Sequence, residues 1–74
     1  MKTYYLHKYL TPTDTVIILD CEELPRKRVQ PVKTGEPVRI RATWTTGPIS
    51  SFTESLRIAH AIANMFGWIV REDV

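Results

Sequence analysis

The sequence predicts a small α+β domain, a small antiparallel sheet of three to four strands with one C-terminal amphipathic helix packed on it, in the order β-β-β-α-β. Three observations carry this. Thr15-Val16-Ile17-Ile18-Leu19 is a continuous, mostly β-branched run, the pattern of a strand buried on both faces. Residues 38 to 45 alternate: Val38, Ile40, Ala42 and Trp44 share one face, and Arg39, Arg41, Thr43 and Thr45 the other. Residues 51 to 67 read as a helix with both ends marked.

The elements follow in chain order. Residues 3 to 10 hold no Gly or Pro and place Tyr4, Leu6 and Leu10 on one face of a first strand, with Tyr5, His7 and Tyr9 on the other. A helix on the first face leaves the Tyr-His-Tyr face partly open, which suits a protein interface or the stacking of unpaired bases. Thr11-Pro12-Thr13-Asp14 is a turn short enough to make the first two strands an antiparallel hairpin. Residues 20 to 37 carry Pro25, Pro31 and Pro37 and a Lys33-Thr34-Gly35-Glu36 turn, so they form an irregular loop or at best an edge strand. Thr46-Gly47-Pro48 ends the alternating strand. Ser51-Phe52-Thr53-Glu54 fits a reciprocal capping box. Phe52, Leu56, Ala59, Ala63 and Phe66 form the apolar stripe, widened by Ile58, Ile62 and Met65, with Arg57 and His60 facing water. Gly67 stops the helix. Trp68-Ile69-Val70 is a last short strand, and residues 71 to 74 form a polar tail.

A chain of 74 residues makes one domain, 1–74. At this size folding hides only about 60% of the unfolded chain's surface, a thin core that favours self-association as a homodimer. Apolar residues make up 43% and charged residues 24%, which excludes a disordered composition. No apolar run approaches the roughly 18 residues of a membrane span, and Lys8 interrupts the N-terminal stretch that a signal peptide needs. The chain is expected to stay in the cytoplasm, with no membrane partner.

No catalytic or metal-binding motif stands out, and the sequence predicts a non-enzyme without cofactor. Cys21 is the only cysteine, which excludes an internal disulfide and a multi-cysteine zinc site. It reads as a half-buried structural residue. Asp20, Glu22 and Glu23 lack the spacing of a calcium loop and read as a solvated strand end. The three glycines form no phosphate-cradling loop.

Charge distribution is more informative than net charge. Residues 26 to 41 carry Arg26, Lys27, Arg28, Lys33, Arg39 and Arg41 against Glu36, a local +5, so the remainder of a +2 chain carries −3. Segregated charge of this kind sets up a field that attracts anionic partners. Arg26, Lys27, Arg28, Arg39 and Arg41 are therefore the candidate binding residues, a basic surface for phosphate or carboxylate groups, because arginine's planar fork engages either one bidentately.

Three strands followed by a helix, with Arg39, Arg41 and Trp44 on the sheet and Phe52-Thr53-Glu54-Ser55-Leu56 opening the helix, resembles the DNA-binding domains of phage-type integrases and of a class of plant transcription factors. That resemblance implies a sheet face that reads nucleic acid. In size and layout the whole chain is also similar to accessory proteins of bacteriophages and mobile elements, the anti-CRISPR inhibitors among them. This second resemblance implies a non-catalytic protein that blocks or regulates a larger host protein or nucleoprotein complex in the bacterial cytosol.

Overall fold

From Val16 to Asp20 every side chain of one strand is buried, and the architecture is arranged around it. The computed structural model describes residues 2–26 and 41–73, with the backbone alone at 41 and 42. The elements are β1 (Tyr4–Leu10), β2 (Thr15–Asp20), β3 (Arg41–Ile49), α1 (Phe52–Phe66) and β4 (Ile69–Glu72). The β-β-β-α-β order expected from the sequence is present. The sheet runs β3-β1-β2-β4, with β1 antiparallel to both β2 and β3.

The last strand makes the sheet mixed: β4 pairs with β2 in parallel, Val16 opposite Ile69 and Leu19 opposite Glu72. A helix between β3 and β4 returns the chain to its starting end, so the two strands must point the same way. They lie at opposite edges of the sheet, and α1 therefore crosses β1 and β2. Leu6, Ile17 and Leu19 are buried against its Ala59, with Tyr4, Trp44, Leu56 and Trp68 packed around them. Tyr9, Val16 and Ile18 form a second apolar cluster on the opposite face, with Ile69 against it. This double burial accounts for the unbroken apolar run in β2.

The hairpin turn is held by Thr11, whose hydroxyl accepts from the Asp14 N–H (2.7 Å) and the Thr13 N–H (3.2 Å). Ser51 caps α1, its hydroxyl accepting from the Glu54 N–H at 3.2 Å. Only this half of the expected capping box forms, because the Glu54 carboxylate turns to the Arg57 guanidinium. That hydrogen bond holds the Glu54 carboxyl below its ordinary pKa. Gly67 ends the helix at φ 73°, as expected, and both its N–H and that of Trp68 reach the Ala63 carbonyl.

Two boundaries differ from expectation. The third strand does not stop at Thr45; it continues through Gly47 and a cis Gly47–Pro48 bond to Ile49. Proline is tolerated there because β3 is an edge strand. Its register against β1 shifts between Tyr4 and Leu6 and again between Lys8 and Tyr9. Each shift breaks the simple two-residue alternation, the second falling between Ala42 and Trp44; Arg39, expected on one face with Arg41, Thr43 and Thr45, lies outside the described residues. Residues 38 to 40, where that strand was expected to begin, lie outside the described residues. The expected polar tail is partly sheet: Arg71 and Glu72 belong to β4, and the Asp73 N–H bonds the Leu19 carbonyl at 2.8 Å.

Gly47 adopts φ 145°, and a Cβ there would lie 2.8 Å from Tyr5 Cδ1 and 3.0 Å from the Tyr4 carbonyl oxygen. Gly67 has a left-handed φ but open space around it. Replacing Gly67 with alanine is expected to cost about 1 kcal/mol, the backbone term alone. Gly47→Ala adds a steric clash and is expected to cost roughly 2–3 kcal/mol. Urea unfolding of both variants checks the order; equal costs would mean that the approach of β1 to Gly47 is not tight.

Candidate binding surface

The sheet face away from α1 is closed by polar contacts rather than open. His7 is fully buried; its Nδ1 lies 2.7 Å from Thr45 Oγ1 and its Nε2 2.8 Å from the Glu22 carbonyl oxygen. With Nε2 protonated it donates to Glu22 and accepts from Thr45, joining β1, β3 and the segment after β2. Tyr9 is buried as well, and its hydroxyl accepts from the Arg26 N–H at 2.7 Å. The expectation of an open Tyr-His-Tyr face is thereby corrected: residues 21 to 26 turn back over the sheet, and only Tyr5 stays half-exposed.

Asp20 anchors that return. It is 2% exposed, not the solvated strand end expected from the sequence. Its Oδ1 accepts from the backbone N–H of Cys21 (2.7 Å) and of Glu22 (3.2 Å). The Arg26 guanidinium grips both carboxylate oxygens, Nη2 to Oδ1 at 3.2 Å and Nε to Oδ2 at 3.0 Å. A buried carboxylate demands such a set of donors. On β4, Arg71 Nε pairs with Asp73 Oδ1 at 3.1 Å, while its buried Nη1 has no hydrogen-bond partner. Burial pushes the Tyr9 phenol above its ordinary value of 10.0, against the opposing pull of the Arg26 N–H. Cys21, expected to be half-buried, is exposed because the chain leaves the sheet at that point.

Of the five candidate residues, Arg26 is thus committed to Asp20. Lys27, Arg28 and Arg39 lie outside the described residues. Arg41 is placed in β3, its backbone opposite Leu10.

Sequence reasoning missed a different surface, at the far end of α1. Met65 is 74% exposed, Phe66 58% and Leu10 41%. The Phe66 ring stacks on Trp68, with centroids 4.6 Å apart and planes at 20°. The Lys8 ammonium sits 4.7 Å from the Trp68 ring centroid, within reach of a cation–π attraction. A groove runs beside them, bounded by Leu10, Asp14, Phe66 and Trp68. The left-handed turn at Gly67 builds this end by folding Trp68 back against the helix. Its signal in the sequence is the width of the helix stripe: Met65 and Phe66 extend the apolar surface beyond what the sheet beneath can cover.

No helix among the described residues is long and apolar enough to cross a membrane. Among the same residues, no group of three or more His, Cys, Asp or Glu is placed to hold a metal ion. The chain matches no protein-family model, no curated protein and no solved structure.

Two outcomes test the network. Because the folded-state pKa of Tyr9 is raised, the stability it contributes is complete below the ordinary phenol value of 10.0 and is lost as pH rises through the folded value. Tyr9→Phe should delete a component titrating above 10.0 in the tyrosinate absorbance and weaken the alkaline decline in stability. Asp20→Ala should cost about 1.5–3 kcal/mol in urea unfolding, since it strips two backbone N–H groups and a guanidinium of a charged acceptor. Arg26→Ala should cost about 1 kcal/mol or less, its side chain being 46% exposed.

Proposed function

We propose that this chain is a small non-catalytic binding protein of phage or mobile-element type, anti-CRISPR-like in action. It blocks or regulates a larger host protein or nucleoprotein complex by covering part of its surface. The observation that carries this reading is the apolar end of the domain, where Phe66 stacks on Trp68 and borders a groove with Leu10, and where Phe66, Leu10 and the next-door Met65 are exposed. Contiguous exposed apolar surface rimmed by polar groups marks interaction sites, and aromatic residues and methionine are enriched in interface centres. The basic stretch from 26 to 41 complements it as a source of attraction toward an anionic partner. With Arg26 held by Asp20, that attraction falls in this reading to Lys27, Arg28, Arg39 and Arg41.

Reading of nucleic acid by the sheet face is the weaker alternative. One face lies under α1, and on the other His7, Tyr9, Val16 and Ile18 are buried, leaving few side chains free to stack on bases or reach their edges.

Capture from a bacterial host lysate, with and without nuclease, separates the two readings. A stoichiometric protein partner should persist after nuclease and be lost on the paired substitution Met65→Glu and Phe66→Glu. Joint charge reversal of Lys27 and Arg28 should slow association more than it speeds dissociation. Recovery of nucleic acid alone, with log affinity falling against log salt at a slope of roughly −4 for four phosphate contacts, would replace this reading with the alternative.

A further inference from the structure

The charge at the centre of the exposed apolar end narrows the chemistry of its partner. Lys8 lies on the same face of β1 as Leu10, half-buried against Trp68. Among the described residues it has no ion-pair partner, whereas Arg26, Arg57 and Arg71 are each paired with a carboxylate. A partly desolvated cation held on an aromatic ring, with no counter-ion among the described residues, favours an incoming carboxylate over a neutral or cationic group. Beside it, Leu10, Phe66 and Trp68 border one groove, and Leu10, Phe66 and the next-door Met65 are exposed. Asp14 lines the groove itself, its carboxylate accepting from the Thr13 hydroxyl at 3.1 Å within the hairpin turn. In the sequence, residues 26 to 41 carry a net +5, the same sign as Lys8.

We propose that the surface formed by Lys8, Leu10, Met65, Phe66 and Trp68 docks an acidic, apolar segment of a partner protein, with a partner carboxylate pairing with Lys8 and partner aliphatic or aromatic side chains covering Phe66 and Met65. This rests on the binding-protein reading above and specifies its contact. Phe66, stacked on Trp68 and therefore already ordered, is the apolar anchor. Lys8 selects for charge, because a cationic segment would meet its ammonium.

Synthetic peptides that share Leu and Phe positions, and carry Asp and Glu, Asn and Gln, or Lys and Arg between them, test this against the full chain. The readout is the indole N–H resonances of Trp44 and Trp68. The acidic peptide should shift the Trp68 resonance saturably and bind about tenfold or more tightly than the neutral one, with the basic one weaker still. Phe66→Ala should weaken the acidic peptide about tenfold. Lys8→Gln should abolish the preference for acidic over neutral peptide, and Lys8→Glu should invert it toward the basic peptide. A thermal melt of each variant confirms folding, and Lys8→Gln, which keeps most of the aliphatic stem over Trp68, serves if Lys8→Glu does not fold. The proposal is overturned if the neutral or basic peptide binds as well as the acidic one, or if the Lys8 variants keep the wild-type preference. It is also overturned if sedimentation finds a dimer that Met65→Glu dissolves, since the occupant would then be a second copy. Loss of lysate capture in the Met65 and Phe66 pair without any acidic preference would retain the binding-protein reading and remove this one. Unchanged capture would remove both.

Discussion

β2 is buried on both faces, and that condition sets the rest of the molecule. On one side Ile17 and Leu19 are covered by α1. On the other, Val16 and Ile18 are flanked by Tyr9 and Ile69, but His7 and Asp20 are buried beside them. Polar groups in such a place cost about 1–3 kcal/mol each if left unpaired. The segment after β2 therefore folds back to supply the Glu22 carbonyl, the backbone N–H groups of Cys21 and Glu22, and the Arg26 guanidinium. What looks like a surface loop is a polar lid that a doubly buried strand requires.

The main elements were legible because they rest on local patterns. The hairpin followed from Thr11-Pro12-Thr13-Asp14, the helix limits from Ser51 and Gly67, and the central strand from its apolar run. What escaped depends on residues distant in sequence. Asp20 looks like a solvated acid until Arg26 and two loop N–H groups converge on it. The passage of β3 through Gly47 and Pro48 needs an edge position and the close approach of Tyr5. Met65 and Phe66 fit the apolar stripe of α1 and would be assigned to the core by periodicity alone; only the extent of the sheet decides that they overhang it. Of the candidate site, Arg26 is placed in an internal role, and the apolar end was not read from the sequence at all.

The two faces of the sheet consequently contribute in different ways. The face away from α1 spends its polar side chains on internal closure, leaving few of them free for recognition. The helix side has a completed core under the middle of α1 and an incomplete one at its C-terminal end, where the stack of Phe66 on Trp68 and the ammonium of Lys8 meet solvent.

The edges of the sheet complete this picture. A strand edge is a template on which a foreign chain can add, and aggregation begins readily at long, flat, regular ones. β3 is long, but Pro48 lacks an N–H and the two register shifts against β1 deny the edge a regular ladder. β4 offers only Ile69–Glu72, too short a rail for extended pairing. Among the described residues both margins are blunted in this way, so the adhesive apolar end does not continue along a regular open strand edge.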